Sequence, residues 1–302
     1  MNREEKKSPR LSVVIPAYHE EKVIGSVIRG VREVIGDDAE IIVVDDGSGD
    51  GTGKAAREAG ARVVTHPYNI GNGAAVKSGI RAARGEVIVL MDADGQHRPE
   101  DIPRLLQAVE TYDLVIGART GESETHVHRD VANWAYNSFA TYLTKQKILD
   151  LTSGFRAIRA RLAKRFVYLL PNTFSYPTTM TLSMIRSGHS VHFVPIVARK
   201  RVGKSKIKLL KDGARFFLIM LRISTLFSPF RVFLPVSALF VALGVMNYAY
   251  TFLTEHRFTN MSAMLLMNGA LVFMLSLIAE QIAQLRLDRT EENDARDTDR
   301  SG

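Results

Sequence analysis

Three apolar runs in this 302-residue chain end in side chains that can hold a phosphorylated ligand. The run from Glu86 leads to Met91-Asp92-Ala93-Asp94-Gly95-Gln96, two carboxylates two positions apart where a strand should end. In extended backbone alternate side chains share a face, so both acids can address one point, and Gln96 adds a neutral oxygen if the extension persists. The chain has no cysteine, and hard oxygen donors of this kind suit Mg²⁺ or Mn²⁺, ions that keep positions open for substrate phosphates. An isolated Asp-x-Asp before glycine is commonly a solvated turn; its place behind a buried strand favours the ligand-holding reading. A second run, Ile41 to Asp45-Asp46, opens onto a glycine-rich loop, Gly47-Ser48-Gly49-Asp50-Gly51-Thr52. Acids at such a strand end can bond ribose hydroxyls or a base, while Asp50 or Thr52 can equally cap the following helix. The third run ends Pro16-Ala17-Tyr18-His19-Glu20. A further glycine-rich loop, Asn69 to Gly73, precedes a helix carrying Lys77; neither loop matches a Walker A or a dinucleotide fingerprint, which disfavours a P-loop NTPase or an NAD enzyme.

The elements that must position these residues alternate. Apolar runs at Leu11–Ala17, Glu40–Asp46, Ala61–His66, Glu86–Asp92 and Asp113–Gly117 predict strands, and Glu20–Ile35, Thr52–Ala59, Gly73–Arg84 and Pro99–Glu110 predict helices between them. Strands this apolar imply an α/β fold with a mainly parallel sheet covered on both faces, whose ligands bind beyond the carboxyl ends of the strands. A His-rich polar loop (Glu122–Asp130), a helix over Val131–Lys145 and a Thr-Ser-Gly-Phe turn at 152–155 read as the second half of the same domain. His126 and His128 lack a third ligand and read as loop residues; Trp134 and Tyr142, at helical spacing, read as core or acceptor-groove packing rather than sugar stacking.

Composition divides the remainder. The absence of cysteine excludes a disulfide scaffold, and 46% hydrophobic residues exclude a mostly disordered chain. Residues 1–10 are polar, with no secretory signal visible, so the chain is expected to start in the cytosol. Arg199–Arg231 holds ten Lys or Arg against the single acid Asp212, and Phe216–Phe227 suits a helix lying in the headgroup layer. Val232–Leu253 and Met261–Ala283 are each long enough to cross about 30 Å of hydrocarbon, against the alternative of two buried core helices. With only Arg257 between the spans, the positive-inside rule puts the amino-terminal domain and the C-terminal tail in the cytoplasm.

Five motifs occur together in one order: Val14-Ile-Pro-Ala-Tyr-His-Glu-Glu21, Val43-Val-Asp-Asp-Gly-Ser-x-Asp-x-Thr52, Asn69-x-Gly-x-Gly-Ala-Ala75, Met91-Asp-Ala-Asp-Gly-Gln96 and Asp150-Leu-Thr-Ser-Gly-Phe155. The chain resembles family 2 glycosyltransferases of the GT-A fold over roughly residues 10–210, in the dolichol-phosphate mannose synthase or polyprenyl-phosphate glycosyltransferase branch. That resemblance implies a hexosyl transfer with inversion from a nucleotide-diphosphate sugar (GDP-mannose or a UDP-hexose) to a polyprenyl phosphate. It implies that Pro16, Ala17, Tyr18, Glu20, Val44, Asp46, Lys77, Asp92 and Ala93 hold the nucleotide sugar, and that Asp92, Asp94 and Gln96 hold Mg²⁺ or Mn²⁺ with the diphosphate. Arg119 sits where the family carries an arginine near the phosphates; Arg129, Asn133, Arg201, Ser205 and Lys206 look like acceptor-phosphate contacts, with Lys200 competing with Arg201 for the register. Asp94, Arg119, Arg129, Arg201 and Lys206 are the expected catalytic set.

Phe174-Ser-Tyr-Pro-Thr-Thr179 departs from relatives acting on sugar hydroxyls, which show an acid there. A hydroxyl nucleophile benefits from a general base, whereas a phosphate monoester carries about −1.5 to −2 at pH 7 and needs cations instead. The basic stretch can supply them, and can equally serve as a topogenic signal or bind anionic lipid. The organisation expected is a GT-A domain over 11–210, an interfacial amphipathic helix over 211–228, two transmembrane helices over 229–284 and a charged disordered tail over 285–302. Nucleotide sugar, polyprenyl phosphate and membrane are the expected partners, and no nucleic acid. A transferase acting on a glycan hydroxyl and a non-catalytic nucleotide-sugar-binding membrane protein are the alternatives.

Overall fold

A computed structural model describes residues 10–37, 39–120, 127–173, 175–199, 225 and 228–299, without the side chains of 127–135 and 286–299. The chain divides into two compact units, Met1–Ile207 and Lys208–Gly302.

The first unit is a three-layer α/β/α domain. In chain order it runs β1 (Leu11–Ala17), α1 (Glu21–Ile35), β2 (Glu40–Asp45), α2 (Thr52–Glu58), β3 (Arg62–Thr65), α3 (Asn72–Ala82), β4 (Val87–Leu90), α4 (Ile102–Val109), β5 (Leu114–Arg119), α5 (Val127–Thr144), β6 (Arg156–Arg159), α6 (Ala160–Phe166), α7 (Tyr176–Arg186) and β7 (Val191–Ile196). The sheet order is β3-β2-β1-β4-β6-β5-β7, parallel except for β6, which runs antiparallel to both neighbours. Strand side chains feed two cores. One packs Val13, Ile15, Val43 and Val89 against Ile24, Ile28, Ile102 and Leu105 of α1 and α4. The other packs Val14, Val44, Leu90 and Ile116 against Val76, Ile80, Phe166 and Met180 of α3, α6 and α7. The near-continuous burial of β1, β2 and β5 is what a parallel sheet covered on both faces requires.

Several boundaries differ from the expected ones for local reasons. The helix expected over Pro99–Glu110 opens as a 3-10 turn, Pro99–Asp101, before α4. α5 starts at Val127, taking in part of the expected loop. The strand expected to run to Asp92 ends at Leu90, and the chain turns through Gly95 at φ +71°. Asp92, Asp94 and Gln96 therefore stand on a turn, and the shared-face argument from extended backbone does not apply to them.

The second unit contains α8 (Pro229–Glu255) and α9 (Asn260–Asp299). Apolar segments Pro229–Glu255 and Asn260–Leu285 have mean hydropathies of 1.9 and 2.0, with 11% and 17% of those windows buried. Core helices would be mostly buried, so this pair suits lipid rather than a soluble core. Ser237 donates to the Gly269 carbonyl at 2.8 Å, and Asn247 donates to Thr259 and Ser262 at 3.2 and 2.9 Å. Polar bonds between the helices satisfy groups that hydrocarbon cannot. α9 continues to Asp299 where a disordered tail was expected; Asp288–Asp299 is rich in Asp, Thr and Asn, so the extension owes more to propagation from the preceding helix, which needs no new nucleus, than to local propensity. The expected interfacial helix lies almost wholly outside the described residues.

Candidate active site

In a sheet ordered β3-β2-β1-β4, the chain leaves β1 toward β2 on one side and reaches β4 on the other. The crevice between β1 and β4 is thus a topological switch point, where open α/β sheets bind ligands. The loops after β1, β2 and β4 meet there.

Pro16 and Val44 are register partners inside the sheet, and Val44 and Ala17 are buried, so they line this edge through backbone. Beyond them the β1 and β2 loops are tied together: the His19 N–H donates to Ser48 Oγ at 3.0 Å and the Glu20 N–H to Thr52 Oγ1 at 2.9 Å. The Ser48 N–H in turn donates to Asp45 Oδ1 at 3.0 Å. These bonds set Tyr18 and Glu20 at the mouth of the crevice.

Asp46, expected to hold the nucleoside, also braces the protein around it. It is 2% exposed, and both carboxylate oxygens accept protein donors. Oδ1 takes His66 Nδ1 at 2.7 Å and the Ile70 N–H at 3.0 Å, and Oδ2 takes the Gly71 N–H at 2.9 Å. Because a carboxylate only accepts, His66 carries a proton on Nδ1, while Nε2 pairs with Ser78 Oγ at 2.8 Å. Asp46 thereby pins the Asn69–Gly73 loop. The glycines there serve close packing: a Cβ on Gly73 would stand 2.7 Å from the Thr173 carbonyl oxygen. Lys77 is half-buried on α3; burial, then the charge of Arg81, lowers its pKa, and it has no carboxylate partner among the described residues.

After β4, Asp94 is 9% exposed and accepts the Gln96 N–H at 3.1 Å. Gln96 does not turn its whole amide to the acids, since Nε2 points to the Arg199 carbonyl at 3.4 Å, while the Arg199 N–H donates to Gln96 O at 2.9 Å. Those bonds bring the first residue of the basic stretch to the Asp92–Gln96 turn. Beneath the turn His97 is buried, stacks on Phe155 at 5.0 Å and accepts the Asp92 N–H at 3.4 Å. Burial outweighs the charge of Asp94 and pulls the His97 pKa down to about 4, so the ring is neutral and can accept.

The antiparallel β6 brings its preceding loop, 150–155, to this same edge. Arg119, at the end of β5, makes a bidentate pair with Asp150, Nε–Oδ2 2.7 Å and Nη2–Oδ1 2.9 Å, and donates to Thr152 Oγ1 at 2.6 Å. Burial raises the Asp150 pKa, but the hydrogen bonds and charge of Arg119 overcome it and hold the carboxyl below its ordinary value. Two residues past Thr152, Gly154 lies against Asp92: a Cβ there would stand 2.7 Å from Asp92 Oδ2. Asp92, Gly154, Asp150 and Arg119 thus form one connected arrangement.

The donor set fits a divalent cation. Asp92 and Asp94 supply hard oxygens, and no group of three His, Cys, Asp or Glu that could hold a metal occurs among the described residues. An ion on two carboxylates keeps sites for phosphate oxygens. Arg201, Ser205 and Lys206 lie outside the described residues, as do the side chains of Arg129 and Asn133, which stand on α5. Tyr142, expected to pack, is 55% exposed, whereas Tyr136 on the same helix is buried and bonded to Thr178. Sequence reasoning missed Asp150, His97 and Arg156 as supports; the available signal was that Asp150 opens one motif and that His97 and Arg156 directly follow two of them.

Comparison with known proteins agrees with this geometry. Residues 12–167 match Glycosyl transferase family 2, and residues 228–285 match the GtrB C-terminal hairpin. The chain is 32% identical over 213 residues to an undecaprenyl-phosphate mannosyltransferase of Micrococcus luteus, covering 66% of this chain and 87% of that one. It is 33% identical over 207 residues to a dolichyl-phosphate hexose transferase of Haloferax volcanii, covering 68% and 89%. Among solved structures, glucosyl-3-phosphoglycerate synthase from Mycobacterium tuberculosis in complex with Mn²⁺ and uridine-diphosphate-glucose superposes with a TM-score of 0.57 at 25% identity, over 72% of this chain and 79% of that one. With its switch-point acids, clamped arginine and C-terminal hairpin, the chain belongs to glycosyltransferase family 2.

Proposed function

We propose that the protein transfers a hexosyl group from a nucleotide-diphosphate sugar to a polyprenyl phosphate at the cytoplasmic face of a membrane, with inversion at the anomeric carbon. The observation that carries this reading is the Asp92–Gln96 turn at the switch point, braced by the loop that also holds Arg119. The named activities of the Micrococcus and Haloferax relatives, and the apolar hairpin, support a lipid-phosphate acceptor.

The crevice side formed by Tyr18, Glu20 and the β2 loop binds the nucleoside. Asp92 and Asp94, with Gln96, hold the divalent cation, Mg²⁺ or Mn²⁺, which when bound neutralises charge developing on the departing diphosphate. Arg119 is held by Asp150 in one orientation, so its charge beside the phosphates needs no reorganisation during transfer. Residues 175–186 contain no Asp or Glu, so α7 supplies no general base, which suits an already anionic nucleophile better than a hydroxyl. Arg129, Asn133, Arg201, Ser205 and Lys206 orient the acceptor phosphate, and positioning two anions in line contributes much of the rate. The nine Lys and Arg from Arg199 to Arg222, before α8, favour a cytoplasmic catalytic unit.

Membranes containing the protein, incubated with labelled GDP-mannose, UDP-glucose and UDP-GlcNAc, test donor and acceptor together. Label is expected in an organic-extractable, mild-acid-labile product, lost on chelation of divalent cations and in Asp94→Asn. A water-soluble product would establish a hydroxyl acceptor instead. Binding without release of nucleoside diphosphate would establish a non-catalytic protein.

A further inference from the structure

A fully buried cation lies under the candidate site and belongs to none of its expected residues. Arg156 opens β6 at the centre of the sheet, with Leu90 of β4 and Ile116 of β5 as register partners, two residues before Asp92 on the former strand. It is 0% exposed, and it shares a sheet face with Leu90, Ile116 and Ile158 in the apolar core beneath α3, α6 and α7. A lone charge in such a place is costly unless its donors are satisfied. Arg156 answers this with oxygen acceptors rather than a carboxylate. Nε donates to Ser153 O at 2.7 Å, Nη1 to Pro177 O and Thr181 Oγ1 at 2.7 Å each, and Nη2 to Leu151 O at 3.0 Å. Two of these carbonyls belong to the loop that carries Asp150, Thr152 and Gly154; the other two acceptors lie on α7.

We propose that Arg156 is a positioning residue for the donor site, a buried staple that ties the 150–155 loop to α7 and so holds Gly154 against Asp92 and Asp150 against Arg119. The assignment rests on the functional reading above. The geometry asks for arginine specifically. Its planar fork reaches acceptors on two elements at once, which the three donors of a lysine ammonium on a flexible stem do not reproduce. The guanidinium also remains a cation, since burial, partly offset by Tyr176, Asp150 and Asp92, lowers its pKa only to about 10. Its positive charge therefore stays under the carboxylates of Asp150, on the loop, and of Asp92, on the turn after β4.

Arg156→Lys in the full-length, detergent-solubilised protein tests this. Calorimetry with Mn²⁺ and the nucleoside diphosphate of the active donor should show binding weakened about 10- to 100-fold, the range typical of residues that orient metal ligands. The donor kcat/KM should fall in proportion while the KM for lipid phosphate is unchanged, and amide exchange should accelerate at 150–155. Combined with Gly154→Ala, the losses should fall short of their product, because both variants move the same loop. If Arg156→Lys does not fold, Thr181→Val removes one acceptor at nearly constant shape and should weaken the same binding about fivefold, as loss of one hydrogen bond does. Folded variants with wild-type nucleotide binding and wild-type exchange at 150–155 would overturn the assignment, as would equal losses at the donor and acceptor. A wild-type protein with no metal-dependent nucleotide binding would instead sink the functional reading, and this inference with it.

Discussion

Gly154→Ala adds one methyl group where the 150–155 loop meets Asp92. The new Cβ would stand 2.7 Å from Asp92 Oδ2 and 3.1 Å from Oδ1, where ordinary contact begins at 3.4 Å, so the carboxylate or the loop must give by about 0.7 Å. Gly154 is not among the glycines of positive φ, so alanine fits its backbone and the whole effect falls on the contact. Metal–ligand distances tolerate only about ±0.2 Å, and a misplacement of about 1 Å at a reacting centre can cost about 100-fold. A 10- to 100-fold loss in donor kcat/KM is therefore expected, or about 1.4–2.7 kcal/mol of transition-state stabilisation. Global stability should change little, because the reduced entropy of the unfolded chain contributes about 0.4–1 kcal/mol in the opposite direction to the local crowding. Initial rates at varied Mn²⁺ and donor, with a parallel thermal melt, separate the two effects. Wild-type kcat/KM and an unaltered metal-activation curve in a folded Gly154→Ala protein would show that Asp92 does not hold charge in the reaction.

The carboxylate of Asp46 accepts three donors from the protein, so Asp46→Asn, which turns an amide N–H₂ toward N–H groups, should cost about 1–3 kcal/mol in denaturant unfolding; an unchanged midpoint would refute the network. Asp150 is held below its ordinary pKa in the fold, so the native state binds fewer protons than the unfolded chain. Its contribution is fully present above the unfolded carboxylate pKa and is lost as pH falls through the folded value, and Asp150→Asn should flatten that acid limb of stability. In the hairpin, a Cβ on Gly269 would meet Val241 Cγ2 at 2.6 Å and the Val241 backbone nitrogen at 3.2 Å, so Gly269→Leu should separate the helices and lower the thermal aggregation midpoint in detergent; no shift would place the contact elsewhere.

The catalytic edge was legible wherever one residue type suffices. β1 and β2 are largely apolar runs leading into polar residues, α1 buries Ile24, Val27, Ile28 and Val31 at helical spacing, and the spans are long and nearly free of charge, so period and length identify all of them. Asp92 and Asp94 were legible as acids behind a strand. Their geometry was not, because it depends on a turn at Gly95 and on a loop distant in sequence. The harder omission was β6. Arg-Ala-Ile-Arg is four residues bracketed by cations, and no hydrophobic count marks it as a central strand. Its burial becomes visible only once Leu151, Ser153, Pro177 and Thr181 are seen to supply the acceptors that a guanidinium needs.

That same strand explains how the site is assembled. In an all-parallel sheet only the loops following the strands reach the carboxyl edge, and each carries its residues outward along its own strand. A reversed strand between β4 and β5 sends the loop preceding it to that edge, between the loops after both neighbours. Loop 150–155 can therefore touch Asp92 on one side through Gly154 and Arg119 on the other through Asp150. A parallel β6 would place Asp150 at the opposite edge of the sheet, about 13 Å away for a four-residue strand. Coupling of the acid turn to Arg119 thus follows from strand direction. Arg156, the first residue of that strand, secures the junction.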